Sequence, residues 1–180
     1  MVELTGTRVR LREFKEGDLD SSMRIVGDDR VTNWLSFDSI NRDQQAQRLA
    51  DIRERAGHTP RTEYYLAVAT LADDELIGFG RLGLGGVKAA KLGGAIAADH
   101  WSHGYAVDAA RTLITYGFST LELHRITAAA GPDNTASIAI LRRLGFTHEG
   151  RLRDHVFTNG SWRDSELYSL LVHEWPQRSQ

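Results

Sequence analysis

The sequence predicts an α+β fold, a mixed α/β arrangement in which one sheet of about seven strands carries helices on its faces. Three observations lead there. Strand and helix patterns interleave in the order β-α-α-β-β-β-α-β-α-β-β. Apolar Leu92 to Ala98, a short loop and Gly104 run straight into a helical pattern of Ala106, Ala109, Ala110, Leu113, Ile114 and Gly117. Two long strands then flank Asn159-Gly160, the strongest hairpin signal in the chain.

The elements follow in order. Thr7 to Phe14 alternates, Val9 and Leu11 against Arg8, Arg10 and Arg12, as a first strand with one wet face. Glu16-Gly17-Asp18 opens a helix through Leu19, Met23 and Val26. Asp28 to Asp38 reads as loop or short helix and carries Trp34 and Phe37. Asn41 caps a second helix, with Ala46, Leu49 and Ile52 on one face, and Gly57 to Pro60 ends it. Tyr64 to Thr70 and Leu76 to Leu82 form a hairpin, and Gly83 to Gly86 turns into the central strand. The helix after that strand runs to Ser119, and Arg125 to Ala130 is a buried strand. Gly131 to Asn134 supplies a turn and an N-cap for a short helix with Ile138, Ile140, Leu141 and Leu144 inward. Gly145 ends that helix. Phe146 to Phe157 and Trp162 to Val172 are the last two strands.

Composition narrows the function classes. A chain of 180 residues suits one domain, residues 1–180, with a single core. Hydrophobic content of 41% and charged content of 26% are those of a globular protein. A net charge of −2 offers no basic field for nucleic acid. There is no cysteine, hence no disulfide framework, thiolate metal site or cysteine nucleophile. His148, His155 and His173 have no metal-ligand spacing, so no metal is expected. No apolar leader or membrane-length run is present, and a cytoplasmic protein away from membranes is expected.

The stretch from Leu92 to Ala110 carries the chemistry. A strand, a glycine turn and a helix start bring unpaired N–H groups together, which suits a phosphate. Gly93, Gly94, Ala95, Ala97 and Ala98 let a ligand lie close to the strand backbone. Such a turn also occurs for packing alone, and both readings stand on these residues by themselves. Trp34 and Phe37 likewise suit a satellite core or one wall of an acceptor pocket.

Two segments resemble the GNAT superfamily of N-acetyltransferases. His100-Trp-Ser-His-Gly-Tyr-Ala-Val-Asp-Ala-Ala110 resembles its pyrophosphate loop, with Trp101 at the first motif position and Ala106 at the last. Asn134-Thr-Ala-Ser-Ile-Ala-Ile-Leu-Arg-Arg-Leu-Gly-Phe146 is similar to its Asn-x-x-Ser/Ala…Leu-Gly-Phe segment. The opening Thr7 to Glu13 and the ending Glu149-Gly150…Asn159-Gly-Ser-Trp-Arg-Asp164…Tyr168…Trp175 are similar to the RimJ/RimL branch, the ribosomal-protein N-acetyltransferases.

That resemblance implies acetyl-CoA as co-substrate, held where two central parallel strands splay apart. Ile96, Ala97 and Ala98 would pair with the pantetheine arm. Backbone N–H groups of Ser102, His103, Gly104, Tyr105, Ala106 and Val107 would hold the diphosphate, with any side chain at Gly104 intruding on it. His103 replaces a common lysine or arginine and leaves more of the binding to amides. A primary amine would attack the thioester directly in a ternary complex. An N–H near Ile96 to Ala98 would stabilise the oxyanion. The tyrosine many relatives use to protonate the thiolate is replaced by Leu141, and Ser137 follows the RimL-like pattern instead. Asn134 would cap the short helix or reach the cofactor. The branch's glutamate base falls at Val156, and Asp154 on the same strand is the nearest substitute. Strict alternation turns His155 to the other face.

The implied acceptor is a protein N-terminus, with Trp34 and Phe37 in the substrate wall. A small amine such as an antibiotic, polyamine or amino acid is the alternative. A non-catalytic acyl-CoA-binding regulatory module also stands, because the usual tyrosine and base are missing. Relatives often form homodimers, but no subunit contact is legible in the sequence.

Overall fold

The structure, a computed structural model, describes residues 1–176. Its strands are β1 (Glu3–Thr5), β2 (Val9–Arg12), β3 (Glu63–Thr70), β4 (Leu76–Leu84), β5 (Ala89–Ile96), β6 (Arg125–Ala130), β7 (Thr147–Thr158) and β8 (Ser161–Leu171). They form one eight-stranded sheet in the order β1-β2-β3-β4-β5-β6-β8-β7. The helices are α1 (Leu19–Val26), α2 (Asp29–Thr32), α3 (Arg42–Ala56), α4 (Tyr105–Ser119) and α5 (Thr135–Arg143).

The extra strand is β1, which pairs with β2 from Glu3↔Arg12 to Thr5↔Arg10. Three residues are too few to display an alternation, so periodicity misses it. β5 begins at Ala89 rather than Leu92 and ends at Ile96 rather than Ala98. Ala98–His100 instead forms a 3₁₀ turn. Alternation on β2 sends Val9 and Leu11 into the core, fully buried. Arg12, expected on a wet face, is buried too. Its guanidinium meets Asp18 at 2.8 Å and Asp74 at 3.0 Å, which offsets the desolvation of the charge.

Neighbouring strands run antiparallel except β5 and β6, which are parallel and joined through α4. Their pairing covers only Ala89↔Arg125 to Leu92↔Ala128. Past that point β5 stays with β4 as far as Ile96, and β6 stays with β8 as far as Ala130. The two central strands therefore diverge from Gly93 and Ala129 onward. One core lies between the sheet and α4 with α5, around Leu113, Ile114, Leu141 and Leu144. A second lies on the α1 and α3 side, around Ile25, Leu49, Ile52 and Phe79.

Candidate active site

The divergence of β5 and β6 opens a cavity of about 780 Å³. Lys91, Gly93 and Gly94 line it from β5, and Ala129 and Ala130 from β6. On one side it reaches Asn134 and Ser137 at the start of α5, and on the other Trp34, Phe37 and Arg48. Because α5 and α3 belong to opposite cores, the cavity passes through the sheet. Its volume is that of a small-molecule site.

The free edge of β5 is written into its ladder. Ala97 donates its N–H to Ile77 at 2.8 Å, and Gly85 donates to Ala89 at 3.0 Å, so odd-numbered residues face β4. Hydrogen-bonding direction alternates along an antiparallel pair, so Gly94 and Ile96 turn their backbone groups toward the gap. The Ile96 carbonyl takes the Trp101 indole N–H at 2.8 Å, which leaves the Ile96 N–H. Of Ile96, Ala97 and Ala98, Ile96 thus offers its N–H to the gap. Ala97 is committed to β4, and Ala98 begins the 3₁₀ turn. A Cβ on Gly93 would meet nothing within 4 Å, whereas one on Gly94 would press on the Phe79 carbonyl at 2.7 Å. Gly93 keeps the gap open and Gly94 keeps β4 and β5 close.

Beyond β5 the chain turns through Ser102 and Gly104, both left-handed at φ +64° and +78°. Gly104 is the N-cap of α4, and Asp108 donates the first intrahelical bond to its carbonyl at 3.1 Å. The N–H groups of Tyr105, Ala106 and Val107 have no acceptor within the helix, which is the general condition of a helix start. His103 stacks on Tyr105 with ring centroids 5.6 Å apart and is tied to the Trp101 carbonyl. Arg8 is the residue the sequence reading missed. Its Nε lies 3.6 Å from the position of a Cβ at Gly104, so a guanidinium stands beside the helix start. A glycine, exposed amides and an arginine at one helix N-terminus fit an anionic diphosphate.

Gly104→Val adds two costs here. The left-handed backbone disfavours a β-branched residue by about 1–2 kcal/mol. Its side chain would also occupy the space in front of the amides. Calorimetry is expected to show acetyl-CoA affinity reduced by about tenfold or more, since each 1.4 kcal/mol is tenfold. Denaturant unfolding would show the smaller stability loss.

Residues 8–147 match the Acetyltransferase (GNAT) domain family. The chain belongs to the GNAT acetyltransferase family. Members are acetyl-CoA-dependent acyltransferases. The chain is 29% identical over 177 residues to the uncharacterized N-acetyltransferase p20 of Bacillus licheniformis, covering 97% of this chain and 99% of that protein. It is 31% identical over 121 residues to the [ribosomal protein uS5]-alanine N-acetyltransferase of Escherichia coli, covering 66% and 62%. Among solved structures, Mycobacterium smegmatis RimJ in complex with CoA-disulfide superposes with a TM-score of 0.85 at 25% identity, over 98% of this chain and 90% of that one. The GNAT fold and the RimJ/RimL likeness expected from the motifs are thus both found.

Within this GNAT site, Asn134 caps α5 by accepting the Ser137 N–H at 3.0 Å. Ser137 lines the cavity, and its hydroxyl has no hydrogen-bond partner among the described residues. Asp154 is not in the cavity. It is exposed at φ +47°, and its N–H donates to Asp164 at 3.0 Å. His155 and Val156 line the cavity instead. The reason is a bulge: Leu152 pairs with Ser165 and Val156 with Arg163, so Arg153 to His155 stand opposite Asp164 alone. Alternation fails across it, and the expected facing of Asp154 and His155 is reversed. His155 is half-buried, with Nδ1 3.0 Å from the Ser165 hydroxyl, and Nε2 has no partner among the described residues. Burial, then the nearby Lys91 charge, holds its pKa below the usual histidine value.

Trp34 and Phe37 both line the far side of the cavity. Arg163 holds their loop by donating to the Asn33 and Leu35 carbonyls, and Asn159 donates its N–H to Asp38 at 2.7 Å. Phe37 also packs on the α1–α3 core, so its two readings hold together.

Proposed function

We propose that this GNAT acetyltransferase moves the acetyl group of acetyl-CoA to a primary amine by direct attack in a ternary complex. The observation that carries the reading is a gap between β5 and β6 that opens at once onto Ser137 and His155. Bound acetyl-CoA supplies the thioester carbonyl that the amine attacks. Ser102 to Val107, with Arg8, hold the diphosphate, and Gly94 and Ile96 present backbone to the pantetheine arm. The Ile96 N–H steadies the negative charge that develops on the carbonyl oxygen. His155 Nε2 takes a proton from the amine, and the Ser137 hydroxyl donates to the departing sulfur. Asn134 places Ser137 by capping α5.

A protein N-terminus as acceptor is supported by the relative named for the uS5 alanine. Release of free thiol from acetyl-CoA with an amine panel tests the reading, and tight acetyl-CoA binding with no release under any acceptor would overturn it. Ser137→Ala is expected to lower kcat about tenfold or more with little change in acetyl-CoA affinity, because one hydrogen bond to a charged group is worth about 1.5–3 kcal/mol. Unchanged turnover in that variant would remove the serine from the mechanism.

A further inference from the structure

The cavity as a whole carries more positive than negative charge. Arg48, Arg55, Arg81, Lys91, Arg151 and Arg163 line it against three carboxylates, Glu63, Asp133 and Asp164. Several of these are already paired. Glu63 is held by Arg81 and by Arg55, and Arg151 is bound to Glu166. Arg48, Lys91 and Arg163 have no carboxylate partner among the described residues. The coenzyme's phosphates do not account for them, because no residue of the Ser102–Val107 loop lines this cavity.

Arg48 is also set in place. Its guanidinium lies 4.1 Å over the Phe37 ring, and one terminal nitrogen donates to the Tyr65 hydroxyl at 3.0 Å. The remaining N–H groups have no partner among the described residues. A planar fork held from below and with donors to spare matches a carboxylate.

Resting on the transferase reading above, we propose that the acceptor is an amine carrying a carboxylate in the same molecule, which Arg48 seats while Lys91 adds attraction. The same charges disfavour polyamines and favour the neutral form of the attacking amine. An acidic peptide N-terminus and an acidic amino acid share this chemistry.

The test follows thiol release from acetyl-CoA with the amidated tetrapeptides Ser-Glu-Glu-Ala, Ser-Gln-Gln-Ala and Ser-Lys-Lys-Ala, and with glutamate and spermidine. At low salt, the best acidic acceptor is expected to exceed the glutamine peptide about tenfold in kcat/KM, and the lysine peptide and spermidine by more. The ratio of the acidic peptide to glutamate says which source of carboxylate the site takes. Arg48→Gln, which removes the charged fork, and Lys91→Gln are each expected to shrink the acidic preference at unchanged KM for acetyl-CoA. The inference is overturned by a lysine peptide or spermidine that matches the acidic acceptors, or by an acidic preference that survives both substitutions. Thiol release without any charge ranking removes this inference and leaves the transferase reading. No release with any acceptor removes both.

Discussion

His155→Gln is expected to lower kcat about a hundredfold, the lower end of what a positioned general base contributes, with acetyl-CoA affinity nearly unchanged. The glutamine removes the titratable ring and leaves an uncharged polar side chain in the bulge between Leu152 and Val156. The pH profile separates this role from a structural one. Burial and the Lys91 charge lower the His155 pKa from its ordinary 6.5, so the neutral base predominates at pH 7. Activity should therefore persist below pH 6.5 and fall only as the pH passes through the lowered value. In His155→Gln that acid limb should disappear along with most of the rate. Lys91→Gln should shift the limb upward, since one of the two causes of the lowered pKa is gone. An acid limb that stays in place in His155→Gln would assign it to another group.

The proposed coenzyme half of the site is legible in the sequence because it is local and made of backbone. Gly104, the helix after it and the Asn134 cap each follow from a short run of residues. The splay is different, because it is a place where pairing stops. The sequence motif implies it, and only the register of β5 against β6 shows that it begins at Gly93. The facing of Asp154 and His155 is misread for a definite reason. Alternation assumes one residue opposite one residue, and at Asp164 the partner strand inserts Arg153 to His155. The cations without a carboxylate partner come from three separated elements, Arg48 on α3, Lys91 on β5 and Arg163 on β8. No periodicity connects them. Arg8 is hidden in the same way, because its place beside Gly104 is set by a contact spanning 100 positions of sequence.

That contact carries the second large effect. Asp108→Ala is expected to destabilise the protein by about 3 kcal/mol, the scale of leaving one buried and three part-buried donors without their acceptor. Asp108 sits in the first turn of α4 and is 6% exposed. Its carboxylate accepts the Thr7 N–H at 3.1 Å, the Thr7 hydroxyl at 2.8 Å, the Arg8 N–H at 2.8 Å and the Val9 N–H at 3.1 Å. A Cβ on Gly6 would collide with it, so the turn before β2 is folded directly onto this group. Removing the carboxylate leaves those donors facing an apolar methyl, and the start of β2 loses its anchor to α4. Arg8 then loses its position beside Gly104, so acetyl-CoA affinity should fall as well, although Asp108 lies outside the diphosphate loop. Thermal unfolding should report a loss of about 6–12 °C, at about 2–4 °C per kcal/mol for a chain of this size. The pH dependence gives an independent check. Burial pushes the Asp108 pKa up, but the Arg8 N–H, the Thr7 hydroxyl and N–H, and the Val9 N–H together hold it below the ordinary 3.8. A carboxyl lowered on folding stabilises the protein above its unfolded pKa, and that share is lost as pH falls through the folded one. The gap in stability between the native chain and Asp108→Ala should thus be constant near neutrality and narrow below pH 3.8, and a gap that does not narrow would mean the carboxylate's charge is not what fastens β2 to α4.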